Sequence, residues 1–132
     1  MTKIHQYTIM CVSITGQMAA CEALATGKKS VEEMKREYKR RREFIVGALN
    51  RLGLSCRKPQ GAFYAFPSIR STGLSSMEFC QRLLKSQNVA VVPGTAFGAC
   101  GEGYVRMSYA SSMEHLKEAV NRIEAFLKNG RK

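Results

Sequence analysis

Apolar residues recur at helical spacing in two long stretches of this chain. Val31, Met34, Tyr38, Ile45, Leu49 and Leu52 share one helical face, and Gly53 beyond them suits the left-handed residue that closes a helix. Leu116, Ala119, Val120, Ile123, Phe126 and Leu127 repeat the pattern, with Gly130 after them. A shorter segment carrying Phe79, Leu83 and Leu84 predicts a helix between the two. Each segment opens on the capping-box pattern S-x-x-E: Ser30 to Glu33, Ser75 to Glu78 and Ser111 to Glu114. In such a box the serine hydroxyl accepts from the backbone N–H three residues on, while the glutamate reaches back to the serine N–H. Gln17 to Leu24 is also helical in pattern.

Strand-like runs lie between the helices. Leu54 to Arg57 and Ala62 to Phe66 flank the turn-like Lys58-Pro59-Gln60-Gly61, which predicts antiparallel pairing. Val89 to Val92 is a short apolar run stopped by Pro93-Gly94 and reads as a buried strand. Tyr104 to Tyr109 is another strand, entered from the glycine-rich segment 98–103. The order helix, helix, strand, strand, helix, strand, strand, helix predicts an α+β domain. Its sheet is small, mixed and mostly antiparallel, with helices packed on it. Residues 30–132 form that domain. Residues 1–29 read as a severed connection carrying one helix, because Ile4 to Ile14 is apolar without a clean period and needs something to pack against.

Composition narrows the function classes. With 132 residues, 45% hydrophobic and 23% charged, the chain is globular and large enough to bury a core. The five cysteines include no C-x-x-C pair, and neither His5 nor His115 has a cysteine close by. A disulfide framework and a metal site are therefore not expected, and a reducing, cytoplasmic compartment fits. Lys3, the apolar run Tyr7 to Ile14 and Met18-Ala19-Ala20-Cys21 mimic a lipoprotein signal, but Gly16 and Gln17 break it and only one lysine precedes it. No apolar stretch approaches the roughly 20 residues of a transmembrane helix. The net charge of +11 gathers between Lys35 and Arg42. It suits either a phosphate-rich partner or a solvated helix face, and with no nucleic-acid motif the second reading is preferred.

The search for a self-contained active site finds no G-x-S-x-G, P-loop or dinucleotide fingerprint, and no catalytic residue is expected in the chain. Arg106 stands apart. Strand alternation puts Val105, Met107 and Tyr109 on one face and Tyr104, Arg106 and Ser108 on the other. An arginine held on a strand suits bidentate recognition of a planar carboxylate. It is equally compatible with the solvated face of a sheet.

Three segments, in this order and spacing, resemble the C-terminal third of class I aminotransferases of the aspartate aminotransferase superfamily. They are Pro59-Gln60-Gly61-Ala62-Phe63-Tyr64-Ala65-Phe66-Pro67, Val89-Ala90-Val91-Val92-Pro93-Gly94-Thr95-Ala96-Phe97-Gly98, and Gly101-Glu102-Gly103-Tyr104-Val105-Arg106-Met107-Ser108-Tyr109-Ala110. The resemblance implies that Arg106 binds the α-carboxylate of an amino-acid substrate and that Phe63 lies near the substrate pocket. It implies a small domain of fold type I pyridoxal-phosphate enzymes. The lysine that holds pyridoxal phosphate would lie upstream, in a large N-terminal domain. The complete protein would be a homodimer that moves amino groups between amino acids and 2-oxo acids, with the cofactor as electron sink. No lysine here has the S-x-S-K-like context of the cofactor lysine, so this piece should bind no cofactor and be inert alone. A related pyridoxal-phosphate lyase or synthase, or a stand-alone basic nucleic-acid-binding module, are the alternative readings.

Overall fold

A computed structural model of the chain describes residues 1–8 and 11–130. It contains helices α1 (Thr2–Thr8), α2 (Ile14–Thr26) and α3 (Lys28–Arg51), then strand β1 (Tyr64–Ala65) and helix α4 (Ser76–Gln87). Strands β2 (Val92–Pro93) and β3 (Val105–Ser108) and helix α5 (Met113–Asn129) follow. The chain divides into two compact units, Met1–Arg36 and Glu37–Lys132, with the division inside α3.

The described part of the first unit is mostly helical. α2 covers the expected segment and extends it at both ends, whereas α1 was not expected, since its sequence carries no helical period. Ile9 and Met10 lie outside the described residues, so the apolar run Ile4 to Ile14 and the signal-like segment within it are not described throughout. Large apolar side chains stay exposed in this unit, among them Tyr7 (91%) and Leu24 (90%). Ser30 does not cap a helix, contrary to expectation. α3 starts two residues earlier, because only Gly27 separates it from α2 and keeps helical dihedrals of −68° and −12°. The Gly27 N–H donates to the Ala23 carbonyl and Val31 N–H to the Gly27 carbonyl, so no side chain is needed there.

The second unit holds the core. Ile45 and Leu49 of α3, Phe79 and Leu83 of α4, Val105 of β3 and Ile123 of α5 are buried together. The sheet has three strands in the order β1-β3-β2, and both pairings are antiparallel. Ser75 caps α4 as expected, its hydroxyl accepting from Glu78 N–H at 3.2 Å, but the Glu78 carboxylate turns to Arg82 instead of reaching back. α5 is capped one residue later than expected, by Ser112, which accepts from His115 N–H at 3.2 Å.

Two strand expectations need correction. Leu54 to Arg57 is not a strand: Leu54 and Cys56 are buried, but the segment forms no ladder with 62–66. The Asn50 side chain takes the place of a partner strand, accepting from Cys56 N–H at 2.9 Å and donating to the Cys56 carbonyl at 3.0 Å. The Val89 to Val92 run pairs only at its end, where Val92 meets Arg106 and Pro93 meets Val105, and β2 is a half-buried edge. No described helix is long and apolar enough to cross a membrane.

Candidate functional site

β3 is the middle strand, and its alternation runs as the sequence predicts. Val105 and Met107 are buried against the helices, while Arg106 is half-buried on the opposite face. Tyr64 of β1 stands opposite Ser108, on the same face as Arg106 and diagonal to it. Phe97 follows β2, on the other side of β3. The Arg106 guanidinium carbon lies 4.3 Å from the Tyr64 ring centroid and 4.4 Å from that of Phe97. Both rings are therefore within cation–π range of one charge, Tyr64 from strand β1 and Phe97 from the turn that follows β2. Among the described residues Arg106 makes no salt bridge and no side-chain hydrogen bond, in contrast to Arg40, Arg41, Arg82 and Arg122, each of which holds a glutamate.

Each ring arrives on a segment that is pinned elsewhere. β1 is entered through Ala62, whose φ of 55° puts a non-glycine residue in the left-handed region. Tyr109 secures this entry, its hydroxyl donating to the Ala62 carbonyl at 2.9 Å and its N–H to the Phe63 carbonyl at 2.8 Å. Burial pushes the Tyr109 phenol above its ordinary range, and the nearby Arg42 charge opposes that rise. Arg42 also ties the preceding turn to α3 by donating to the Pro59 carbonyl at 3.0 Å.

The Phe97 segment consists of two 3₁₀ turns, Gly94–Phe97 and Ala99–Gly101. Gly94 and Gly101 touch backbone to backbone, and a Cβ on either would collide with the other's carbonyl oxygen. That contact is why both positions are glycine. The N-terminus of α4 closes the segment. The buried Ser76 hydroxyl accepts from Gly103 N–H at 2.9 Å, and Ser76 N–H donates to the Glu102 carboxylate at 2.8 Å.

Phe63 lies one ring away from Arg106. It is 38% exposed and packs between Tyr38 (6.0 Å between ring centroids) and Tyr64 (4.6 Å), so Tyr64 stands between it and the guanidinium. On the other side Phe97 meets the edge of Phe66, which stacks on Tyr104 at 5.6 Å. Tyr64 and Phe97 are thus the site neighbours that sequence reasoning missed. Tyr64 depends on the β1–β3 register and Phe97 on how the glycine turns fold.

The remaining chemistry-bearing residues lie apart from this cluster or are buried in the core. His5 and His115 are exposed on helices, and Cys56 and Cys80 are buried, which raises both thiols above their usual range. Among the described residues no group of histidine, cysteine or carboxylate side chains could hold a metal ion. Every described lysine is exposed, and no strand carries one.

Comparison with known proteins matches these features to one family. The family model described as aminotransferase class I and II matches residues 3–123. The YugH protein of Bacillus subtilis is 55% identical over 127 residues, covering 96% of this chain and 33% of its own length. An aspartate aminotransferase of Pyrococcus horikoshii is 52% identical over 130 residues, with 96% and 33% covered. The crystal structure of an aromatic aminotransferase from Pyrococcus horikoshii superposes with a TM-score of 0.92 at 50% identity, covering 98% of this chain and 35% of that one. The chain thus spans about a third (33%) of the length of the curated relatives it matches. With the family model covering all three strands and most of the helices, this chain belongs to the aminotransferase class I and II family.

Proposed function

We infer that this chain is the substrate-carboxylate-binding third of an aminotransferase that moves an amino group between an amino acid and a 2-oxo acid. One observation carries the reading. Arg106 is half-buried on the central strand, with two rings beside it and no acidic partner among the described residues. Desolvating a guanidinium partway and leaving it unpaired is unfavourable unless an anion completes the site. A carboxylate matches its forked donors with two parallel hydrogen bonds. Phe63, on the same run of rings, lines the approach to that anchor.

The family implies pyridoxal phosphate in the complete enzyme, where it supplies the electron sink for the reaction. The residues described here do not fit it: none of the lysines is buried or placed on the sheet to meet its aldehyde. They fit a carboxylate, and the contribution of this chain is to hold and orient the substrate. The cofactor is held by polypeptide beyond these residues, and the chain alone is inert. Residues 1–29 form the connection to that polypeptide, which is consistent with exposed apolar positions such as Ile14, Met18 and Leu24.

The test is amino-group exchange by the complete protein. Incubation with an amino acid and a 2-oxo acid should produce the complementary pair without release of ammonia. Ammonia release, or elimination of a side-chain substituent in place of exchange, would overturn the reading in favour of a lyase.

A further inference from the structure

We propose that Tyr64 and Phe97 are positioning residues that hold the Arg106 guanidinium between two aromatic faces, so that its charge and in-plane donors stay free for a substrate carboxylate. The inference rests on the reading of Arg106 as the carboxylate anchor and adds how that anchor is kept ready.

A long arginine side chain can be fixed in two ways. A carboxylate partner fixes it but consumes its charge and its donors, as the Glu37 pairing with Arg40 and Arg41 shows. An aromatic face fixes it through attraction to the π-electrons and leaves the N–H edge available. Arg106 has the second arrangement twice, at 4.3 Å and 4.4 Å, and has no acidic competitor among the described residues. The rings come from separate segments, each pinned by its own device: Ala62 held by Tyr109 for one, and the Gly94–Gly101 contact closed by Ser76 for the other. On the Tyr64 side the contact is made by the ring, whose centroid lies 4.3 Å from the guanidinium carbon.

The experiment uses the complete protein and two probes of the same shape, 3-phenylpropionate and its uncharged amide, 3-phenylpropanamide, titrated calorimetrically. Tyr64→Leu and Phe97→Leu should each weaken the carboxylate by about 3- to 10-fold while the amide binds as before. Unchanged amide binding shows that the variants are folded. Tyr64→Phe should recover most of the affinity lost in Tyr64→Leu, and Phe97→Tyr against Phe97→Met supplies the same contrast should leucine at 97 prevent folding. Equal weakening of acid and amide would mean that the rings contact the ligand body, and the proposal falls. It falls also if the ring variants bind the acid normally while Arg106→Lys loses it. Retention of the acid preference in Arg106→Lys would instead remove the anchor itself, a separate outcome.

Discussion

Ser76→Ala tests how the loop beside Arg106 is held. Ser76 is fully buried (0% exposed), and its hydroxyl accepts from the buried Gly103 N–H at 2.9 Å, with a longer contact of 3.4 Å to the Gly101 carbonyl. Alanine fits the space but removes the acceptor, and Gly103 N–H is left buried without a partner. An orphaned backbone donor costs about 1–3 kcal/mol, and the weak second contact adds little. A loss near 2 kcal/mol corresponds to a fall in melting temperature of roughly 6–10 °C for a chain of this size. Urea unfolding followed by circular dichroism should show a lower midpoint at an unchanged slope. Because the same loop carries Phe97, the variant in the complete protein should also bind carboxylates more weakly. A loss below about 0.5 kcal/mol would mean that water or another acceptor reaches Gly103, and the clamp would not be what holds the loop.

Phe126 of α5 meets Phe79 of α4 edge to face, with centroids 5.3 Å apart and planes at 89°. It is only half-buried, so Phe126→Ala should cost about 2–3 kcal/mol, below the range for a fully buried ring, as read from urea midpoints. The exposed Cys11, Cys21 and Cys100 should react readily with a thiol reagent, whereas Cys56 and Cys80 should react only on unfolding, and mass mapping of the alkylated sites checks this. Burial holds those two thiols and the Tyr109 phenol above their ordinary ranges. Groups that keep their protons more tightly when folded contribute stability that is present below the unfolded pKa and lost as pH rises above it. The urea midpoint should therefore fall as pH is raised past about 8.5, and less steeply in Cys56→Ala/Cys80→Ala.

The segments legible in the sequence were those whose signal is local. The α5 stripe, the Ser75 cap and the alternation of β3 follow from side-chain periodicity and from a hydroxyl three residues from its donor. What escaped depended on groups distant in sequence. Leu54 to Arg57 has the apolar alternation of a strand, but Asn50 takes up the Cys56 N–H and carbonyl, the Ser55 carbonyl accepts from Ser68 N–H, and no ladder forms. Ser30 matches a cap, yet the helical geometry of Gly27 removes the need for one. Arg106 could be singled out from its strand. That Tyr64 and Phe97 would meet it requires the β1–β3 register and a backbone contact between two glycines seven residues apart, neither of which is visible as a pattern.

The most direct test of the carboxylate anchor is Arg106→Lys in the complete enzyme, assayed with an α-amino acid and with the amine that lacks its carboxylate. Lysine keeps the charge but cannot reproduce the fork. kcat/KM for the amino acid should therefore fall by an amount equivalent to about 2–5 kcal/mol, while the amine, having nothing to place there, changes little. Equal losses for both substrates would contradict the account and make Arg106 a structural residue.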